Sequence, residues 1–145
     1  MFFRTISALV IVLILIGGAT AEMKNSTDTS FCPTAAKPES DTCKSLKLFN
    51  RSNDTVKAIN IIQQPNEAGC TKDERRYTKN LEDETIRLVT VNPTCKYKIR
   101  FKTSSRCSGD STAYMTPRKF AENKNTVYLK GNCKNLKTEV GYYAW

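Results

Sequence analysis

The side chains best suited to acid–base chemistry are six carboxylates between residues 67 and 84 of this 145-residue chain. Two carboxyl groups that face each other are sufficient for glycoside hydrolysis. A catalytic carboxyl, however, usually occupies apolar surroundings that raise its pKa, whereas this stretch is polar and carries four cations. Its spacing also matches no EF-hand calcium loop. We therefore expect a solvated acidic loop that contains Glu67, Asp73, Glu74, Glu82, Asp83 and Glu84.

The chain contains no histidine. Its absence excludes Ser-His-Asp and Cys-His triads, and it excludes zinc sites with histidine ligands. No glycine-rich phosphate-binding loop is present after the first 21 residues, because each glycine there stands alone in the sequence. We therefore predict that the protein is not an enzyme and has no catalytic residue, no metal site and no cofactor. A hydrolase that uses carboxylates alone is the weakest alternative.

Six cysteines follow residue 31, and none of them forms a C-x-x-C pair. An even number of cysteines in a small secreted domain is typical of a disulfide framework. We predict three disulfides and no free thiolate, while all fifteen possible pairings remain open at this point. The cysteines are Cys32, Cys43, Cys70, Cys95, Cys107 and Cys133.

The N-terminal residues predict secretion. Arg4 precedes an apolar run over residues 8–16, and Ala19-Thr20-Ala21 offers the small residues of a signal-peptidase site. The run is shorter than the roughly 20 apolar residues that cross a bilayer. We therefore expect residues 1–21 to be a cleaved signal peptide. The mature chain should be extracellular, with no transmembrane segment.

Three N-x-S/T sequons predict a glycoprotein: Asn25, Asn50 and Asn53. Asn50 and Asn53 are the stronger candidates, because they fall in a cluster of turn-forming residues between two predicted strands. A glycan must lie on the surface. We therefore predict that one of these two asparagines is glycosylated.

A row of cations alternates with apolar residues over residues 95–102. Side chains on a strand point alternately to opposite faces, so the sequence predicts that Lys96, Lys98, Arg100 and Lys102 project from one side. Arg87 would join this row if residues 85–91 pair with it through the turn at residues 92–93.

The row lies in the basic part of the chain. Residues 85–145 carry twelve basic and three acidic side chains, whereas residues 22–84 carry ten and eleven. Such a concentration of charge can recruit a polyanion, such as a glycosaminoglycan, an anionic membrane or a nucleic acid. The alternative is the solvated face of a half-buried strand, on which lysines discourage edge pairing.

Period-two patterns dominate the rest of the chain and predict an all-β fold. About seven short strands at spacings of roughly ten residues favour a small antiparallel sandwich or barrel. We expect a flexible leader over residues 22–31 and a single disulfide-rich domain over residues 32–145. The predicted strands cover residues 45–49, 55–62, 85–91, 95–102, 112–115, 126–130 and 138–145.

Three local features complete the predicted architecture. The first two strands should form a hairpin through the turn at residues 50–54. The capping-box pattern from Thr71 to Glu74 predicts a surface helix over residues 72–80. Thr116-Pro117 predicts a second short helix that ends by Glu122.

These observations favour a secreted, non-enzymatic binding protein, such as an immune or signalling factor or a salivary, venom or seminal effector. Its partner would be an extracellular protein or a polyanion, engaged through the basic strand. A cationic antimicrobial protein is the main alternative. The aromatic residues 142–145 are a second candidate contact surface, although aromatic side chains also fill cores.

Overall fold

The computed structural model describes residues 30–33 and 36–143, which form two four-stranded sheets packed face to face. The strand order is β4-β1-β7-β8 in sheet one and β3-β2-β5-β6 in sheet two. Neighbouring strands are antiparallel except β1 and β7, which run parallel. The elements are β1 (Lys44–Arg51), β2 (Ala58–Gln64), β3 (Asp73–Tyr77), β4 (Thr85–Val91), β5 (Lys96–Lys102), β6 (Thr112–Met115), α1 (Pro117–Ala121), β7 (Thr126–Asn132) and β8 (Asn135–Gly141).

The predicted fold class is therefore confirmed as a small disulfide-stapled β sandwich. The predicted signal peptide, Asn25, Trp145 and most of the predicted leader lie outside the described residues. No helix within residues 30–33 and 36–143 has the length and apolar character needed to cross a bilayer.

The core lies between the sheets and follows from the alternation of side chains along each strand. On β5 the inward residues Tyr97, Ile99 and Phe101 are at most 1% exposed. The Tyr97 hydroxyl accepts a hydrogen bond from the backbone N–H of Asn92 at 2.9 Å and lies 3.0 Å from Gln63 Oε1. Burial raises the pKa of this hydroxyl, so Tyr97 stays neutral and serves as a fully bonded core residue.

Phe31 belongs to this core, although the predicted leader includes it. Its ring lies 5.3 Å from that of Tyr97, and its backbone N–H donates to Thr90 O at 2.8 Å. The Arg75 guanidinium covers the Phe31 ring at 4.4 Å. The packed domain therefore begins before Cys32.

The predicted hairpin between β1 and β2 is wrong, because the two strands belong to different sheets. The connecting residues form a corner around Asn50, which is fully buried. Asn50 Nδ2 donates to Asp54 O at 2.6 Å and to Leu81 O at 2.9 Å, and Asn50 Oδ1 accepts from the Ser52 hydroxyl at 2.7 Å. A glycan would have to attach to this buried nitrogen, so of the two asparagines predicted to carry one, Asn50 is the less accessible and Asn53 is the better candidate.

The predicted helix over residues 72–80 is wrong as well, because these residues contain strand β3. β3 pairs with β2, which supplies hydrogen bonds that an isolated capping box cannot match. Tyr77 is buried, and Arg75 is less exposed than its neighbours Glu74 and Arg76. This alternation is the period-two pattern of a strand.

Strands β4 and β5 do not pair, because the turn at residues 92–93 carries the chain from sheet one to sheet two. The condition under which Arg87 would join the row of cations is therefore not met. The Arg87 side chain is only 6% exposed, lies 5.5 Å from the Tyr77 ring and donates to Lys79 O at 3.1 Å. Burial lowers the pKa of Arg87.

The three predicted disulfides are confirmed, and they connect Cys32 to Cys43, Cys70 to Cys95 and Cys107 to Cys133. The second bridge is buried, as the parity of β5 predicts. The short helix α1 is confirmed too, with the Thr116 hydroxyl accepting from the Lys119 backbone N–H at its start.

Candidate functional site

The row of cations lies on an inner strand of sheet two. β5 is flanked by β2 and β6, so its inward side chains are buried while Lys96, Arg100 and Lys102 are exposed and Lys98 is half-buried. All four therefore project from the outer face of sheet two. A central strand holds its side chains in fixed register with both neighbours.

Register adds a residue that the sequence does not associate with the row. Arg100 lies opposite Asn60 on β2, and Asn60 lies opposite Arg76 on β3. Arg76 is exposed and extends the row across the sheet. The false helix prediction concealed it, and the sequence of residues 73–77 offers no alternation of apolar residues from which a strand could be recognised. The resulting cationic face consists of Arg76, Lys96, Lys98, Arg100 and Lys102.

These five cations are not neutralised internally. None of them lies within 4.0 Å of a carboxylate oxygen in the part of the chain that the structure describes. Glu74 is the one carboxylate at an outward position of the sheet two strands, since Asp73 points inward and bonds Arg75 at 2.7 Å. The cationic face therefore carries an excess of four positive charges.

One aromatic ring borders the cationic face. Tyr114 on β6 lies opposite Lys98, is 41% exposed, and has the Lys96 ammonium 5.3 Å from its ring centroid. Nearby, Lys119 Nζ donates to the Tyr114 carbonyl at 2.5 Å. Burial, and then repulsion from Lys124 and Lys96, lower the pKa of Lys119. The positive potential thus extends from β5 to helix α1.

The outer face of sheet one is different. Three of its cations have internal partners: Arg51 pairs with Glu84 at 3.5 Å, Lys130 pairs with Glu139 at 2.6 Å, and the Lys47 ammonium lies 4.9 Å from the ring of Tyr143. Lys137 is exposed and forms no ion pair in the described chain, so this face has fewer unpaired cations than sheet two but is not neutral.

The acidic stretch of residues 67–84 does not form one cluster. Asp73 bonds Arg75, Glu82 Oε2 accepts from the Thr55 hydroxyl at 2.6 Å, and Asp83 Oδ1 accepts from the Asn53 backbone N–H at 3.1 Å. These carboxylates have partners in loops and strand ends, where they secure the chain.

A third set of potential ligands has no metal-binding capacity. Asp54, Cys107 and Cys133 bring ligand atoms within 4.8 Å of one another. Both sulfurs, however, belong to one disulfide. A cysteine binds a metal as its thiolate, so the two disulfide sulfurs cannot serve as ligands and this group is excluded as a metal site.

Asn53 remains a predicted glycosylation site. Its side chain is exposed at the corner between β1 and β2. Its φ of 57° lies in the left-handed region, which asparagine tolerates better than most residues. A glycan here would extend into solvent.

Comparison with known proteins finds no relative by sequence: no protein family matches the chain, and no curated protein does. Among solved structures, one described as a trapped toxin shares 9% identity at a TM-score of 0.39, covering 70% of this chain and 24% of that chain. The cytotoxin suilysin from Streptococcus suis shares 6% identity at a TM-score of 0.38, covering 71% of this chain and 24% of that chain. The chain thus spans about a quarter of each, and similarity at this level indicates neither a shared family nor a shared function.

Proposed function

We propose that this protein is a non-enzymatic extracellular binding protein whose cationic face engages a polyanion of the glycosaminoglycan class. The observation that carries the proposal is the contrast on sheet two between five cations without ion pairs and a single outward carboxylate. Positive charges held close together raise the local potential and attract an extended anion.

The geometry of the face suits a linear ligand. Alternate residues of a strand are about 7 Å apart and neighbouring strands about 4.8 Å apart, so β5 presents its four cations in a straight line. Arg76 lies two strands to one side of Arg100. A chain with sulfate or carboxylate groups at regular intervals could neutralise several cations at once.

Two other polyanions fit less well. Proteins that lie on membranes usually insert large apolar side chains, whereas the outward positions of sheet two offer only Ile62, half-buried, and Tyr114. Binding to single-stranded nucleic acid uses several aromatic stacking platforms, and this face has one. The three disulfides support an extracellular location, because such bonds persist mainly in oxidising compartments.

The test is heparin affinity of the secreted protein. Changing Lys96, Lys98, Arg100 and Lys102 to glutamine should abolish retention at physiological salt and reduce the slope of log affinity against log salt by about four, one per lost contact. The matched control changes the same number of charges on sheet one, at Lys47, Arg51, Lys130 and Lys137. It should retain most of the wild-type affinity.

Three outcomes would overturn the proposal. Equal losses in the two quadruple variants would show that net charge alone is responsible. Failure of the wild type to bind heparin at physiological salt would direct the search towards acidic extracellular proteins. Stronger binding to anionic vesicles than to heparin, with leakage of their contents, would favour the antimicrobial alternative.

A further inference from the structure

A second feature lies at the end of the cationic face. After β5 ends at Lys102, residues 103–111 form the loop that returns to β6. Between this loop and the end of β5 is an open pocket of about 380 Å³. Arg100 and Lys102 line it, so the last two cations of β5 belong to the face and to the pocket at once.

The remaining polar lining is rich in hydroxyl groups. Five hydroxyl residues line the pocket, and no aspartate or glutamate of the described chain does. Ser108 donates to Lys134 O at 2.8 Å, and Ser104 Oγ lies 3.4 Å from Cys107 Sγ. The other three hydroxyls form no hydrogen bond within the described residues and are free to donate: Thr103, Ser105 and Ser111.

The loop that carries these hydroxyls is held firmly. The Cys107–Cys133 disulfide ties it to the turn between β7 and β8. Ser108 O accepts from the Leu136 backbone N–H at 3.0 Å, and Leu136 O accepts from the Asp110 N–H at 2.8 Å. Gly109 adopts a φ of 104°, and a Cβ at that position would collide with the Leu136 backbone. The pocket is therefore preformed, which lowers the ordering entropy lost on binding.

A compact tetrahedral oxyanion suits this lining. Its oxygens only accept hydrogen bonds, so the three free hydroxyls can all act as donors, and hydrogen bonds to a charged group are stronger than neutral ones. The Arg100 guanidinium can add a planar pair of donors. A planar carboxylate has only two oxygens and would leave part of this donor set unused.

We propose that this pocket is a subsite for one sulfate ester of a sulfated glycan whose chain runs along the cationic face. The inference rests on the proposed function and deepens it, because it fixes the position of one group of the glycan on the protein and requires that group to be a sulfate ester. Since the pocket lies at one end of β5, the bound chain has a defined position, unlike a chain held by charge alone.

The experiment removes the hydroxyls without changing any charge, by combining Thr103→Val, Ser105→Ala and Ser111→Ala. Affinity for a size-defined, fully sulfated heparin octasaccharide should fall by about tenfold, the effect expected when several hydrogen bonds to a charged group are lost. The salt slope should stay that of the wild type, because no cation is lost. A melting curve identical to that of the wild type verifies the fold.

A second variant and a control test whether the effect belongs to the pocket lining or follows from any change in this loop. Ser105→Asp places a carboxylate in the pocket and should weaken octasaccharide binding by more than tenfold. Arg106→Gln, a change in the same loop outside the pocket lining, should weaken binding by less than threefold. In an NMR titration with inorganic sulfate, the amides of residues 103–111 should shift in the wild type more than in the triple variant.

The outcomes separate this proposal from the proposed function. If the wild type binds the octasaccharide and the triple variant binds it equally well, the pocket is not a subsite, while the cationic face keeps its role. The triple variant should lose less affinity for a polyphosphate chain of the same charge than for the octasaccharide. Equal losses for the two ligands would also overturn the assignment to a sulfate ester. If the wild type does not bind the octasaccharide at all, both proposals fail.

Discussion

The outer faces of the two sheets differ in how far their central strands are covered. On sheet one, Phe49 and Tyr128 are 3% and 5% exposed, because the chain after β8 folds back over them. Tyr128 donates its hydroxyl to Tyr142 O at 2.5 Å, and the ring of Tyr143 lies 6.5 Å from that of Phe49. On sheet two no described segment covers the central strand, and three of its four outward cations are exposed.

This difference separates structural charges from charges that are available for binding. Exposed ion pairs such as Lys130–Glu139 each add at most about 1 kcal/mol to stability, but on sheet one they neutralise two cations, Arg51 and Lys130. On sheet two, neighbouring like charges repel one another. The proposed polyanion would relieve that repulsion, so its binding would offset a small loss of stability.

The largest expected effect concerns the disulfide that anchors sheet two. Replacing both Cys70 and Cys95 by serine should lower the free energy of unfolding by about 4 kcal/mol, measured by urea denaturation. The matched control replaces Cys107 and Cys133, which close a loop of nearly the same length, with sequence separations of 25 and 26.

Similar loop lengths imply similar entropic contributions from the unfolded chain. Replacement of Cys70 and Cys95 should lower the free energy of unfolding more than replacement of the control pair, because its serine hydroxyls would be buried at positions that are 7% and 1% exposed. Equal losses would show that the burial of the first bridge has no energetic consequence.

A matched pair of truncations tests the covering of sheet one. Phe49→Ala should lower the free energy of unfolding by about 3 kcal/mol, since it removes a buried ring that contacts Tyr128. Ile62→Ala, at an outward position of sheet two, should lower it by about 1 kcal/mol because that side chain is only half-buried. Urea denaturation of both variants measures the difference, and a larger loss for Ile62→Ala would reverse the assignment of the covered and open faces.

Arg87 tests the contrast between buried and exposed cations. Its Nη1 atom is buried and has no hydrogen-bond partner in the described chain. Arg87→Met should leave the free energy of unfolding unchanged or raise it by up to about 1 kcal/mol, because an apolar side chain removes the desolvation penalty. Heparin affinity should not change. A loss above about 2 kcal/mol would indicate that the bond to Lys79 O and the stacking on Tyr77 outweigh that penalty.

The smallest effect should be a gain in affinity. Glu74→Gln removes the single outward carboxylate of sheet two and should tighten heparin binding by about threefold, as expected for one charge in a medium of high dielectric constant. Glu139→Gln changes net charge equally on sheet one and should have a smaller effect. Isothermal titration of both variants at one ionic strength makes the comparison, and equal gains would contradict a localised binding face.

Features that depend on one strand or one turn were predictable. The alternation over residues 95–102 correctly predicts a buried set with Cys95, Tyr97, Ile99 and Phe101. Thr116-Pro117 correctly predicts the start of a short helix. In each case, local backbone geometry alone relates the residue pattern to the structure.

Features that depend on which strands become neighbours were not predictable. Asn50 lies among turn formers that resemble a hairpin loop, yet it is buried with its amide donating a hydrogen bond to the carbonyl of Leu81, 31 residues away. Residues 73–77 carry a helix-start pattern, yet they form β3 because β2 offers them an unpaired edge. Non-local pairing overrode the local signals in both segments.

The sequence by itself determined the all-β class, the number of disulfides and the common face of Lys96, Lys98, Arg100 and Lys102, because strand periodicity and cysteine count are properties of the linear chain. Only the tertiary structure decided how the cysteines pair, that Arg76 joins this face while Arg87 is buried away from it, and that residues 103–111 form a pocket at its end. These follow from strand order and register, which arise when sheets assemble from segments far apart in sequence.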